Sequence, residues 1–301
     1  MPEFTNVLHA LSEQSAELVE RARPYVVAVH GGGRSSASGI HWRPGIIVTA
    51  EESLERDEGI KLTLPDNSIV DASLVGRDPT TDVAVLRFES NGFAAASPVA
   101  APLRPGHLVW AIGNRHGSAL AAVGTVALVG GPWRSLRGGT IANLIRLDLR
   151  LSPAAEGGAL VDVQGQVLGM TVLGPRRRAL AIPTATVDKA VEQLLKRGHV
   201  VRGYLGAGLQ PLQRHASRAA ANGHGSQGLL VASIDPDGPA ARAGLLVGDI
   251  LNGWNGEPVN RVRDVMARLG HEEVGKSIEL SLTRGGAAAA LKVVIGERPV
   301  R

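Results

Sequence analysis

The stretch Asp148–Val161, DLRLSPAAEGGALV, constrains this chain most. An apolar run, a proline, two adjacent glycines and a second apolar run describe a buried strand, a tight turn and another strand. The surroundings read the same way. Tyr25–His30, Gly45–Thr49, Ile60–Leu64, Ile69–Gly76 and Asp82–Phe88 are short apolar runs separated by turn signals such as Gly31-Gly32-Gly33 and Pro65-Asp66-Asn67. After Pro102 and Pro105 come Leu108–Ile112, Ala119–Val129, Ile141–Leu149, Ala159–Val163, Val167–Leu173 and Ala179–Ile182. Two groups of about six short strands predict two packed antiparallel barrels. The 38 glycines, 17 prolines and 3% aromatics fit many short strands joined by tight turns.

Helices frame this β-rich part. Phe4, Val7, Leu8, Leu11, Leu18, Val19 and Ala22 fall near a 3.6-residue period, so residues 3–22 read as an amphipathic helix ending before Pro24. Its apolar face packs on its own barrel or on another protomer. Thr184–Arg197 reads as a second helix, with Thr184 as N-cap, Lys196 and Arg197 in its last turn and Gly198 as its stop. Composition changes near 198–203. Beyond it, residues 212–227 read as a polar, glycine-rich loop, Asn260–Leu269 as a helix, and 277–284 and 290–296 as strands.

Several separated motifs together resemble the HtrA/Deg-type serine proteases. In those proteins N-P-G-N-S-G-G-P-L-V carries the nucleophile, and Ser152-Pro153-Ala154-Ala155-Glu156-Gly157-Gly158-Ala159-Leu160-Val161 lies over it. The family's T-N-x-H-V corresponds to Thr49-Ala50-Glu51-Glu52-Ser53. Its D-P-x-T-D-L-A-V-L corresponds to Asp78-Pro79-Thr80-Thr81-Asp82-Val83-Ala84-Val85-Leu86. The C-terminal part resembles a PDZ domain through Arg202-Gly203-Tyr204-Leu205-Gly206, Gly238–Leu245, Gly248-Asp249-Ile250-Leu251 and Asn255–Val259. The resemblance implies a mainly β fold: an N-terminal helix (1–23), a chymotrypsin-like, trypsin-type double β-barrel (24–198) and a PDZ domain, an α+β sandwich (199–301).

The same alignment places Glu52 at the catalytic histidine, Asp82 at the retained aspartate and Glu156 at the serine. Ala154 and Ala155 replace the glycine and asparagine of the oxyanion turn. Losing a nucleophile or base alone lowers turnover by roughly 10⁶, and a carboxylate of pKa near ~4.3 is poorly matched to a serine hydroxyl. Ala154 also accepts a left-handed backbone less readily than glycine. Ser53 and Ser152 lie close in sequence to the replaced positions, but His41 and His116 do not stand where the base should, and lone serines or histidines in such loops are usually structural. Three acids in triad positions leave three readings open. They are held by hydrogen bonds and water, paired with a cation such as Arg176, Arg177 or Arg178, or bound to calcium, magnesium or manganese.

The implied activity is therefore that of a pseudoenzyme: a non-catalytic peptide-binding scaffold, chaperone-like or regulatory protein of bacterial protein quality control. A serine endopeptidase with an unusual site and a cation-binding structural protein are the alternatives. In the PDZ-like part, Tyr204, Leu205, Gly206 and Ala207 are the expected contacts for the C-terminal carboxylate of a peptide or protein. The resemblance also implies a homo-oligomer, although no residue pattern specifies one. No cofactor and no resident metal are expected. With no cysteine, disulfides and thiol chemistry are excluded. A net charge of +4 with both signs interspersed argues against nucleic acid. No run approaches the ~18 apolar residues of a membrane span, and the opening residues lack the pattern of a secretory leader, so the expected location is cytoplasmic.

Overall fold

The computed structural model describes residues 2–32, 36–90, 92–135, 137–212 and 228–299. The chain divides into two compact units, Met1–Val200 and Val201–Arg301.

In the first unit, helix α1 (Pro2–Ala22) leads into six strands: β1 (Val26–His30), β2 (Ala37–Arg43), β3 (Ile46–Thr49), β4 (Ile60–Thr63), β5 (Ile69–Asp78) and β6 (Val83–Arg87). They close into a barrel in the order β1-β2-β3-β6-β5-β4. Strands β7 (Leu108–Arg115) and β8 (Ser118–Gly130) follow, then a small hairpin of β9 (Trp133–Arg134) and β10 (Thr140–Ile141). With β11 (Leu144–Asp148), β12 (Ala159–Val161), β13 (Val167–Gly174) and β14 (Arg178–Pro183), the second barrel closes as β11-β14-β13-β12-β7-β8.

Alternation explains the architecture. Val27, Val29, Ile47, Leu62 and Leu86 fill the first barrel, and Val109, Ala111, Val126 and Leu160 fill the second. The residues between them in sequence point the other way. Val26, Ile40, Val48, Trp110, Ile112 and Val161 form a third core where the barrels meet, sealed by Val187, Val191 and Leu194 of α2 (Thr184–Arg197). Successive side chains of a strand point to opposite faces, so strands such as β1 and β3 are hidden on both. Full burial of each such aliphatic side chain contributes about 1.5–3 kcal/mol.

Some boundaries differ from expectation. Strand β2 was not anticipated, because Ser38 and His41 look polar; both are buried and hydrogen-bonded. Helix α2 is preceded by Pro183 as N-cap, and the Thr184 hydroxyl donates to Val99 O instead of capping. Helix α1 docks at its C-terminal end: Leu18 and Ala22 are buried, and Trp110 Nε1 donates to Ser15 Oγ at 2.8 Å. Val7, Leu8 and Leu11 are exposed.

The second unit contains β15 (Gly203–Tyr204), β16 (Ala207–Pro211), β17 (Leu229–Ile234), α3 (Pro239–Arg242), β18 (Ile250–Trp254), β19 (Glu257–Pro258), α4 (Val262–Ala267), β20 (Ser277–Arg284), β21 (Ala287–Val294) and β22 (Gly296–Glu297). Its main sheet runs β16-β17-β18-β20-β21, so β16 is an edge. Helix α4 is shorter than the expected Asn260–Leu269 because Asp264 Oδ2 accepts the Arg261 N–H at 3.0 Å and fixes the start. The expected loop at 212–227 falls, except for Leu212, outside the described residues. Strand β21 begins earlier than 290 because Gly285 and Gly286, both with positive φ, turn the chain tightly after β20. Pairing then draws Ala287–Ala290 into the sheet. Among the described residues no helix is long and apolar enough to cross a membrane.

Candidate active-site cleft

Three turns position the cleft residues of the first unit. After β3 the chain makes a 3-10 turn, Glu51–Ser53, which exposes Glu52. Asp82 immediately precedes β6 in the left-handed region at φ 58°, a conformation more accessible to aspartate than to most residues. A second 3-10 turn, Pro153–Ala155, delivers Glu156 ahead of β12.

The Glu52 N–H donates to Asp82 Oδ1 at 2.9 Å, and the Glu51 N–H reaches Asp82 O at 3.4 Å. Burial pushes the Asp82 carboxyl up to about 7, opposed by the Glu52 N–H and reinforced by the charges of Glu52, Glu156 and Glu51. Burial also raises Glu156, again with help from Glu52, while the Leu173 N–H and the Arg177 charge pull it down. The three acids expected at triad positions therefore lie within each other's electrostatic reach.

Their partners differ from those expected. Glu52 Oε1 pairs with Arg137 Nη2 at 3.1 Å, and Arg137 Nη1 reaches Glu51 Oε2 at 3.0 Å. Arg77 Nη1 approaches Glu51 Oε1 at 3.4 Å. Arg137 sits in the turn between β9 and β10, which is pinned by the Ser135 hydroxyl donating to Thr80 O. No motif marks that arginine in the sequence. Arg176, Arg177 and Arg178 are exposed, and of these Arg177 acts on Glu156 through its field. Among the described residues no three His, Cys, Asp or Glu side chains are grouped to hold a metal ion.

The turn before Glu156 matters as much as its side chain. The Ala155 N–H donates to Ser152 O at 2.9 Å and the Glu156 N–H to Pro153 O at 3.2 Å. The expected left-handed strain at Ala154 does not arise, because the turn is 3-10 helical and Ala154 keeps a negative φ. Ser38 Oγ donates to Ala154 O at 2.6 Å and accepts the Asn114 N–H at 2.8 Å, fixing that conformation from the first barrel. Gly157, at φ 80°, lies so close to Ser38 O and Thr49 Oγ1 that no side chain fits. The Glu156 side chain ends on the Leu173 N–H, which donates to Oε1 at 3.0 Å. His41 bonds Ala94 O and Gly45 N, and His116 stacks on His30.

In the second unit, Gly206 has φ 76°, and a Cβ there would lie 2.9 Å from Gly238 Cα. The Leu205 and Gly206 carbonyls accept N–H groups of Ala240 and Asp235. The Tyr204 hydroxyl donates to Asp235 Oδ2 at 2.8 Å. Ala207 opens edge strand β16, against which α4 packs.

Residues 37–170 match the trypsin-like peptidase domain family and residues 203–295 the PDZ domain family. The chain is an HtrA-type protein. A probable periplasmic serine endoprotease DegP-like of Brucella suis biovar 1 is 31% identical over 268 residues, 85% of this chain and 51% of that protein. One of the same name from Pseudomonas fulva is 30% identical over 306 residues, 97% of this chain and 63% of that protein. The HtrA-type chain thus spans about half the length of the Brucella relative. Among solved structures, a serine endoprotease from Yersinia pestis superposes with TM-score 0.73 at 29% identity, covering 94% of this chain and 98% of that one. HtrA-type protease AlgW with a decapeptide gives 0.75 at 26% identity, covering 95% and 99%. The relatives are named periplasmic, which overturns the cytoplasmic expectation. The opening residues form a helix docked on the barrel, and such a helix carries no information about compartment.

Proposed function

We propose that this HtrA-type chain is a non-catalytic, peptide-binding protein of the bacterial periplasm, acting as a scaffold or chaperone-like partner in protein quality control. One observation supports the reading: the N–H of Glu156, the residue the motif places at the nucleophile position, donates to Pro153 O. Attack and oxyanion stabilisation are thereby both missing from the same turn. Peptide binding is assigned to the PDZ unit. The loop Tyr204-Leu205-Gly206-Ala207 takes a terminal carboxylate, and the extended ligand adds to the edge of β16 beside α4. The decapeptide held by the similar AlgW structure supports a peptide as ligand.

The test combines two measurements on the purified chain. A fluorophosphonate probe and unfolded casein should give no labelling and no fragments, while peptides with free C-termini bind and their amidated counterparts bind more weakly. A second reading, a serine endopeptidase of altered mechanism, is favoured by the names of the relatives. Probe labelling, or casein cleavage abolished by Glu156→Ala, would establish it in place of the first.

A further inference from the structure

Strand β2 carries a histidine whose hydrogen bonds admit one charge state. His41 is 1% exposed. Its Nδ1 lies 2.9 Å from Ala94 O, a carbonyl that only accepts, so Nδ1 carries a proton. Its Nε2 accepts the Gly45 N–H at 3.1 Å, so Nε2 carries none. The neutral ring satisfies both partners. In the cation both nitrogens are donors, and the Gly45 N–H then faces another N–H. Burial lowers the ring's pKa from 6.5, opposed by the backbone of Ala94 and Arg43, and no side-chain charge stands among the causes. Of the flanking charges, Arg43 turns to Asp188 and Glu192. Arg87 and Glu89 are exposed on either side of Phe88, whose ring meets that of His41 edge-on at 5.1 Å.

The ring joins three stretches of backbone. A bulge in β2 leaves Trp42 as an extra residue between His41, opposite Ile47, and Arg43, opposite Ile46. Gly45, at φ 74°, turns the chain into β3 and accepts the Phe88 N–H. Ala94 begins the segment that leads to the second barrel. Along it the Ala96 N–H donates to His41 O at 2.7 Å, Pro98 bridges to Val167, and the Val99 N–H donates to Val167 O. Residues 94–99 thus run from β2 to β13, with His41 as their anchorage on the first barrel. The same segment lines a cavity of about 340 Å³ with Trp42, Pro44 and Asp188. We propose that His41 is an acid-sensitive clasp: neutral, it holds segment 94–96 and the Gly45 turn on β2, and protonated, it releases both and loosens the connection between the barrels. A ring kept neutral in the closed form contributes stability that is complete above 6.5 and is lost as pH falls from there toward its lowered value. The clasp acts whether or not the cleft is catalytic.

The test is nuclear magnetic resonance of the full chain with isotope-labelled histidine, titrated from neutral into acid, together with amide hydrogen exchange. His41 should show the Nδ1–H tautomer at neutral pH and titrate below 6.5. Exchange of the Gly45 and Ala96 amides, corrected for its intrinsic dependence on pH, should quicken about tenfold for each pH unit between 6.5 and the ring's own value. The amides of β3 should keep their protection over the same range. His41→Gln, whose side chain offers one donor and one acceptor without titrating, should make the Gly45 and Ala96 rates independent of pH. An Nε2–H tautomer, a His41 pKa at or above 6.5, or unchanged exchange at Gly45 and Ala96 would overturn the proposal. All three readings come from the unaltered chain, so they decide the matter even where the variant does not fold.

Discussion

At the scale of single residues, the proposed loss of the catalytic pair is tested as much by the backbone as by the side chains. Glu52→His with Glu156→Ser would restore the identity of a catalytic pair. The N–H at position 156 would still donate to Pro153 O, and loss of one oxyanion donor costs about 10²–10³ in turnover. The double variant should therefore stay unlabelled by a fluorophosphonate probe. Adding Ala154→Gly and Ala155→Asn should permit labelling. Asp82 offers a second test. Its carboxyl holds a proton up to about pH 7 in the folded chain, against an ordinary value of 3.8, so folding takes up a proton between those limits. Stability contributed by this group is thus lost as pH rises from about 4 to 7. Asp82→Asn should leave the melting temperature near pH 4 almost unchanged and raise it at pH 8, with a gain in unfolding free energy of at most about 4 kcal/mol. Thermal melts across that range check the sign. Motif order singled out Glu52, Asp82 and Glu156, and the three do act on one another electrostatically. Arg137 was not legible, since a lone arginine in a turn acquires its partners only when the β9–β10 hairpin folds over Glu51 and Glu52.

At the scale of elements, alternation and turn chemistry carried most strands, and failures came where polar residues are buried. Strand β2 was missed because a hydropathy pattern cannot show that Ser38 bonds Ala154 and Asn114, or that His41 bonds Ala94 and Gly45. The Ser38 hydroxyl bond to Ala154 O, with the Ser38 N–H donating to Glu156 O, ties β2 to the Pro153–Glu156 turn across the barrel boundary. Gly157 is the tightest point of that junction. Gly157→Ala would place a methyl group against Ser38 O and the Ala50 N in a backbone that also requires positive φ. We expect at least about 2 kcal/mol of destabilisation, the scale of combined strain and overpacking, read by urea denaturation of the first unit.

At the scale of the whole molecule, the two units have separate cores, one built around Leu229, Leu251 and Leu280 and the others around the barrel strands. A peptide with a free C-terminus, if bound through Tyr204–Ala207, should raise only the calorimetric transition belonging to 201–301. At a hundredfold excess over Kd the gain is about 2.7 kcal/mol. Gly206→Val should remove the shift, because a side chain there meets Gly238. Family order made this division legible, whereas the compartment was not, since docking of α1 and export of a protein follow different physical requirements.

The three acids on which the proposed chemistry of the first unit turns all lie in turns: Glu52 after β3, Asp82 before β6 and Glu156 before β12. The stabilising mass lies elsewhere, in strands hidden on both faces. Mutational drift could therefore rewrite reactivity at small thermodynamic risk, leaving a durable shell on which new specificities can be selected.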